Sequence, residues 1–589
     1  MAKQGEVVST PQVNEALGDA ELWLSFDWKA AEADVRRLRQ RIFKAAQDGD
    51  LKRLRSLQRL MLRSRSNLVI SVRRVTQRSL GRRTPGIDGE LALSHKARGS
   101  LVRTLGEVHA ADFRPVRRVH IPKANGKLRP LGIPVIRDRV QQARVLNALE
   151  PEWEARFEAR SYGFRPGRSC QDAMAAIFTI IGRKSALRPW VLDADLSSAF
   201  DRINHECLLE TIDGFPAATA VRRWLRAGVM ENGRFAPTEE GAPQGGVISP
   251  LLLNIALHGL SMAAGEDDSL SDHHKRKRPM LVRYADDFVV FCSTEEEAFR
   301  IKGLLAAWLK PKGLTFNEEK TSVRHVTEGF DFLGFSFRKY GSGKLVIKPS
   351  RAAVTRVKEK VREMTRGLAT APTEIVIKQL NPLIKGWSTY YRGAVSSETF
   401  STLENFMYKR MYRWAKRRHP KKSATWVKAN YFGAYHPGRK DRWVFGDRKS
   451  GRYLQKFSWT KIVRHVPVIG RSSRDDPNLK EYWAKRTAVR PQPIADRMVI
   501  SLAARQKGVC PLCGLDLIAG AGYEPDSVRE WAEWFTASRR TINRHHLVYR
   551  SHGGADEKSN LVLIHADCHR RHHAANDRHT PEETANAML

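Results

Sequence analysis

Apolar residues recur at helical spacing over residues 28–80: Val35, Leu38 and Ile42, then Leu51, Leu54, Leu57 and Met61. Arg fills many positions between them, so the pattern predicts helices with one apolar and one basic face. AAQDGD (45–50) predicts a break between two of them, and TPGIDGE (84–90) is turn-rich. The period then changes. VRRVHIP and LRPLGIP flank Ala124-Asn125-Gly126-Lys127 and predict two strands joined by a turn. Helical spacing returns at about 137–158 and 170–185. Residues 190–196 read as a short apolar strand ending in Asp193 and Asp195. Residues 280–284 read as another, running into Ala285-Asp286-Asp287 and on through FVVF, which gives strand–turn–strand. Strands mixed with helices predict an α/β sheet domain over about 81–340. The polar run 264–279 predicts a flexible insertion.

Charge changes the picture. The 589 residues include 102 Lys and Arg against 63 Asp and Glu, a net charge of +39. The chain is long enough for several domains and needs a polyanionic partner; nucleic acid comes first and an anionic membrane surface second. No uncharged apolar run approaches the roughly 18 residues of a membrane span, and the first residues lack the apolar stretch of a signal peptide, so no membrane association is expected. Residues 338–490 hold 37 Lys and Arg against 10 Asp and Glu, so most of the excess lies there. Trp387, Tyr390, Tyr391, Tyr408, Tyr412, Trp414, Trp426, Tyr431 and Trp443 are interleaved with it. Short charge runs are usually solvated faces, but a long basic region studded with aromatics predicts a nucleic-acid track, with some of the rings in the core. Cys170, Cys207 and Cys292 are isolated and read as buried fillers.

Two adjacent carboxylates, Asp286 and Asp287, on a tight turn repel each other. Asp is common in turns, so the pair alone would be unremarkable. A second strand delivering Asp195 alters that, because strand ends that bring carboxylates from separate segments can cage divalent cations. Two Mg²⁺ ions so held could activate a 3′-hydroxyl and stabilise leaving pyrophosphate, which predicts nucleotidyl transfer.

Ordered motifs then accumulate: TPGIDG (84–89), IPKANGKLRPLGIP (121–134), YGFRPGRSCQDA (162–173), LDADLSSAFDRINH (192–205), GAPQGGVISPLLLNIALHGL (241–260), RYADDFVVF (283–291), GLTFNEEKT (313–321) and GFDFLGF (329–335). LIKGWSTYYR (383–392) follows them. From about 65 to 420 the chain resembles the reverse transcriptases, or maturases, encoded by group II introns. The resemblance implies a right-hand polymerase fold with fingers and palm, then a helical thumb. It implies Asp195, Asp286 and Asp287 as catalytic Mg²⁺ ligands, with Asp193 and Asp201 as local structure. It implies Phe200 as a steric gate against a ribose 2′-hydroxyl, hence a DNA product. Lys123, Lys127 and Arg129 would clamp the incoming dNTP, Gln244 would lie near its sugar, and Lys320 would be a general acid toward pyrophosphate. As the bland alternative, Lys127 and Lys320 are simply solvated.

The C-terminal region carries a second chemistry. Cys510 and Cys513 form CxxC, and His565 and Cys568 form HxxC 55 residues after Cys510. This spacing predicts a tetrahedral Zn²⁺ site, with His572 a rival to His565. A plain zinc knuckle leaves His545, His546, His569 and His573 unexplained. The segment 505–575 resembles the HNH nucleases, a ββα-metal fold. The resemblance implies His545, His569 and His573 as ligands of a nuclease metal, Mg²⁺ or Mn²⁺. It implies His546 as general base and Asn560 as the residue orienting the loops. Many relatives have four cysteines in the zinc site, whereas His565 stands here in place of one. The stretch between Cys513 and His545 also holds an additional helical pattern, DSVREWAEWF.

The expected organisation is a multidomain α/β protein: an N-terminal basic helical extension (1–80), fingers and palm (81–340), a thumb or maturase domain (341–435), a basic DNA-binding segment (436–495), and an HNH domain with zinc knuckle (500–580). The expected partners are group II intron RNA, target DNA and dNTPs, in the bacterial cytoplasm as a ribonucleoprotein or in an organelle, with a homodimer left open. The expected activities are RNA-templated DNA synthesis, splicing assistance and a nick in the target that primes the copying. A splicing factor with a dead polymerase is disfavoured by the complete Asp triad. A defence or retron enzyme is disfavoured by KGWSTYYR and the HNH motifs. A homing endonuclease with a passive basic body is disfavoured by the eight ordered boxes.

Overall fold

The computed structural model describes residues 18–106, 113–122, 128–266, 278–436, 438–487, 497–512, 517, 542–549, 553–566, 568, 569 and 572. The chain forms two compact units. One joins Met1–Arg156, Phe200–Ala256 and Ser473–Leu589; the other joins Phe157–Ala199 and Leu257–Ser472. The strands that matter first are β1 (Val116–Pro122), β2 (Leu128–Ile133), β3 (Trp190–Ala194), β4 (Val229–Glu231), β5 (Arg234–Ala236), β6 (Met280–Tyr284), β7 (Asp287–Cys292) and β8 (Ser322–His325).

In the first unit, helices Trp28–Gln47, Leu51–Arg63 and Arg65–Arg73 pack on the long helix Ile136–Arg156. Each of the three starts on a side-chain cap, with Asp27, Asp50 and Ser64 accepting from Ala30, Arg53 and Asn67 backbone N–H. The break between the first two falls at Asp48 and Gly49, where Gly49 adopts a left-handed φ of 71°. Val35, Ile42, Leu54, Leu57 and Met61 are buried as the helical period requires, but Leu51 is exposed. It occupies the first position of its helix, before the apolar stripe reaches the core.

Arg39 shows how this unit closes. Its guanidinium donates to both carboxylate oxygens of Asp475, at 2.8 and 2.7 Å, and to Glu150 at 2.7 Å. Burial works against the charge, but the two carboxylates outweigh it and keep Arg39 protonated. The fork joins segments 436 residues apart. A second sheet, in the order β2-β1-β4-β5, carries the hairpin; β1 and β2 pair antiparallel with Ile121 opposite Arg129.

In the second unit, β6-β7-β3-β8 form one sheet with every pair antiparallel. Val191, Val282, Val289 and Phe291 bury one face, together with Ile177 and Ile181 of helix Cys170–Ile181. The same core continues through Phe335 and Phe337 into helices Arg351–Gly367, Thr373–Tyr391 and Ser397–Arg418, across the boundary expected at 340. This corrects the reading of the interleaved aromatics as chiefly a nucleic-acid track. Tyr391, Trp414 and Tyr431 lie in that core, and Trp387, Tyr390, Tyr408, Tyr412 and Trp426 pack against it. Helical spacing turns the rings inward and leaves the cations outside. Trp443 alone of the nine is largely exposed, at 55%.

Two further strands, Ile542–His546 and Leu561–His565, pair antiparallel over a small core that includes Leu502, Leu517 and Ile564. Among the described residues no helix is long and apolar enough to cross a membrane. The run 267–277 of the expected insertion lies outside the described residues.

Candidate functional sites

Tyr284 pairs with Asp287 across a tight turn, so Ala285 and Asp286 form its tip. Ala285 is left-handed, with φ of 61°, a conformation that costs an L-residue about 1–2 kcal/mol. Neighbouring chain holds it there. Tyr162 N–H donates to Arg283 O at 2.9 Å, and a Cβ on Gly163 would come within 2.2 Å of Ala285 N. That close approach requires glycine in the YGFRPG motif. Arg283 is fully buried beside Glu158 and donates to Ala285 O at 3.3 Å. Burial would raise Glu158, but the hydrogen bond of His258 and the charge of Arg283 outweigh it and hold the carboxyl down at about 2.

Asp195 follows β3 directly. Its carbonyl accepts from Asn317 N–H at 2.8 Å, and the turn beyond returns Lys320 to it. Lys320 Nζ sits 2.5 Å from Asp195 Oδ2, and Asn317 Nδ2 donates to the same oxygen at 3.2 Å. Asp287 is pushed up to about 8, by burial first, then by the charge of Asp286 and by Asp195, with Lys320 opposing. Asp195, Asp286 and Asp287 are thus gathered with Lys320 into one constellation, and the repulsion within it is what a divalent cation would relieve. Asp193 instead lies within the sheet, opposite Val289 and Ser322, and burial pushes it up to about 7.

Other predicted residues lie in the first unit. Arg129 is exposed on β2, while Lys123 and Lys127 fall outside the described residues. Phe200 is half-buried on the short helix Ala199–Arg202, and its carbonyl accepts from Ala242 N–H at 2.6 Å. Gln244 O accepts from Gly132 N–H at 2.6 Å, and Gly245, at φ 118°, passes so close that a Cβ would meet Gly132 O at 2.5 Å. One loop, 241–246, therefore fastens Phe200 to the strand that carries Arg129. Asp201 backs that loop against Gly241.

The C-terminal histidines separate into two groups. Ligand atoms of Cys510, His565 and Cys568 lie within 4.8 Å of one another. His572 lies elsewhere, its ring 5.0 Å from that of His545 and its Nε2 3.3 Å from Tyr549 Oη. His569 is also 5.2 Å from His545. The structure therefore puts His565 rather than His572 with the cysteines; Cys513 and His573 lie outside the described residues. Thiolates with imidazole suit Zn²⁺, and the imidazole group suits several divalent metals. Asn560 ties down the connecting loop, donating to Val548 O at 3.0 Å and Ala555 O at 2.9 Å and accepting from Val548 N–H at 2.7 Å. His546 Nε2 lies 2.6 Å from Asp556 Oδ1. Asp556 was not foreseen. Only the loop closure by Asn560 brings it across, and no spacing rule announces it.

Sequence profiles match four segments. They are described as the N-terminal domain of reverse transcriptase (23–105), reverse transcriptase or RNA-dependent DNA polymerase (121–337), the group II intron maturase-specific domain (354–432), and HNH endonuclease (534–575). Protein YkfC of Escherichia coli is 35% identical over 343 residues, 52% of this chain and 87% of that protein. The group II intron-encoded protein LtrA of Lactococcus lactis is 32% identical over 292 residues, 39% of this chain and 48% of LtrA, so that match spans about half of LtrA. Maturase-like protein 1 of Euglena gracilis is 26% identical, over 62% of this chain and 77% of that protein.

Proposed function

The chain belongs to the group II intron-encoded proteins, an RNA-directed DNA polymerase joined to a maturase domain and an HNH endonuclease domain, and from this we propose that Asp195, Asp286 and Asp287 are where it extends DNA on an RNA template. The observation that carries the reading is the gathering of these three carboxylates with Lys320 at the open end of one antiparallel sheet. The three would hold two Mg²⁺ ions, which when bound supply Lewis-acid activation of the primer 3′-hydroxyl and of the leaving pyrophosphate. The strained turn at Ala285, braced by Arg283 and Gly163, fixes where Asp286 and Asp287 stand. Lys320, whose pKa is raised by the hydrogen bond it donates to Asp195, holds a proton that it can give to pyrophosphate. Arg129, with Lys123 and Lys127, would meet the triphosphate. Phe200 would select deoxyribose and Gln244 would face the sugar; loop 241–246 sets the spacing of these two against β2.

In the C-terminal module Cys510, Cys513, His565 and Cys568 would hold a structural Zn²⁺, and His545 and His569 with His573 the nuclease metal. His546, oriented by Asp556, would take the proton from the attacking water, and Asn560 would keep the loop in place. The wider reading follows the expected division of the chain. The basic region 341–435 would hold group II intron RNA and assist its splicing, 436–495 would contact target DNA, and the nick would prime synthesis, in a bacterial cytoplasm or an organelle.

Primer extension on poly(rA) primed with oligo(dT), with Mg²⁺ and dTTP, tests the polymerase. Wild type should extend and Asp286→Ala should not. Failure of both, from folded protein, would leave the splicing role alone standing. Nicking of a DNA duplex should vanish in His546→Ala; persistence there would move the base to another histidine.

A further inference from the structure

The second unit contains an open cavity of about 480 Å³ beneath helix Ser397–Arg418, bordered on its other side by residues 443–458. That volume lies in the range of roughly 300–1,000 Å³ typical of sites for small organic groups. Met411 and Phe445 form a buried apolar floor. Tyr408 and Trp443 form a corner, their rings 6.0 Å apart and nearly perpendicular. Trp443 stands at the mouth, 55% exposed, with an indole face open to a partner. Two exposed amides, Asn405 and Gln455, edge the opening. Inside, Glu404 accepts from Phe457 N–H at 3.1 Å, and Lys456 is neutralised by Asp441 at 2.7 Å.

These features specify the occupant. The cavity has rings to stack on and amides to read an edge, and its one cation is already paired, so it is no phosphate site. Its surroundings are strongly basic: Lys409, Lys440 and Arg442 are exposed beside its lining in sequence, within a stretch of 37 Lys and Arg against 10 Asp and Glu (338–490). A flat uncharged ring carried on a polyanion meets both demands. We propose that this cavity receives one unpaired base of the intron RNA, stacked against Trp443 and Tyr408 and read at its edge by Asn405 and Gln455. RNA rather than DNA is the source because Glu404, Asn405, Tyr408 and Met411 belong to the segment matched as the maturase-specific domain, and this draws Trp443 and Gln455, from the stretch 436–495 otherwise proposed for target DNA, onto the RNA. Burial pushes Glu404 up to about 7, so near neutrality it can donate as well as accept toward such a base. The proposal rests on the intron-encoded reading given above.

The test uses the full chain and the intron transcript that carries its reading frame. Filter binding should show wild type retaining the RNA, with Trp443→Ala and Asn405→Ala each weakening it, the former about tenfold. Trp443→Phe should restore most of the loss. Melting curves should match wild type, since both side chains are exposed. Ultraviolet crosslinking followed by peptide mapping should join one nucleotide to residues 401–411 or 443–458. Retention within twofold in Trp443→Ala, or crosslinks confined elsewhere, would overturn the proposal. A crosslink to the same peptides formed by single-stranded target DNA and not by the transcript would overturn the choice of RNA. A wild-type protein that fails to retain the transcript at all would bring down the intron-encoded reading together with the cavity's role, whereas equal binding by wild type and variants removes the cavity's role alone.

Discussion

The carboxylate turn and the cysteine–histidine cluster both crowd groups that repel or compete, yet they are supported differently. The turn sits on a four-stranded sheet whose core runs on through three long helices, so its geometry is imposed by packing. Its strain at Ala285 and the upward push on Asp287 are small beside that support. The cluster sits on two strands over a small satellite core. There a bound metal would be part of the fold itself. On the reading proposed above, a cation at the first site would serve chemistry and a cation at the second would serve shape.

The largest effect should separate these two roles most cleanly. Asp286→Ala should cut primer extension by about a thousandfold or more while leaving the melting temperature unchanged or slightly raised, since it removes a like charge. A large drop in melting would mean that the carboxylates are structural. Next, Cys510→Ser should open the C-terminal module, where the proposed metal would contribute on the order of 10 kcal/mol to folding. Limited proteolysis should then cleave between residues 497 and 572 while residues 157–199 and 278–472 of the second unit resist; an intact module would show that the cluster needs no metal. Arg39→Ala should destabilise the first unit by about 3–5 kcal/mol, because Asp475 and Glu150 would lose the guanidinium that lies between them. Denaturant melts would measure this, and a change under 1 kcal/mol would show that water replaces the fork.

The smallest effect concerns pH. Glu404 is raised from 4.5 to about 7, by burial foremost with Lys456 opposing, so the folded state binds its proton more tightly than the unfolded chain does. Its contribution is therefore complete below about 4.5 and is lost as pH rises through about 7. Glu404→Gln should flatten that decline and be about 1–2 kcal/mol more stable than wild type at pH 8. An unchanged slope would mean that the carboxyl is wetter than its surroundings suggest.

The strands were legible because short continuous apolar runs ended in charged residues: β3 before Asp195, and β6 and β7 around Asp286. The hairpin of β1 and β2 announced itself by its turn residues. Lys320 was named from resemblance alone; its contact with Asp195 depends on backbone bonds made by Asn317, which side-chain patterning does not encode. The rings of 338–490 misled because composition counts a ring without saying which way the helix turns it. Tyr391 and Trp414 face the core, whereas Trp443 does not. Asp556 and Asp475 were invisible for another reason. Each meets its partner through tertiary closure, across 10 residues in one case and 436 in the other.

The Arg39 fork has a consequence for the order of synthesis. The N-terminal helices leave the ribosome long before residue 475 is made, so through most of translation Arg39 has Glu150 but not Asp475. Their domain is finished only once Asp475, 436 residues after Arg39, has been made. A chain shortened to remove the nuclease should therefore end after helix Lys480–Thr487 rather than before Ser473, or the first domain will be left without its last partner.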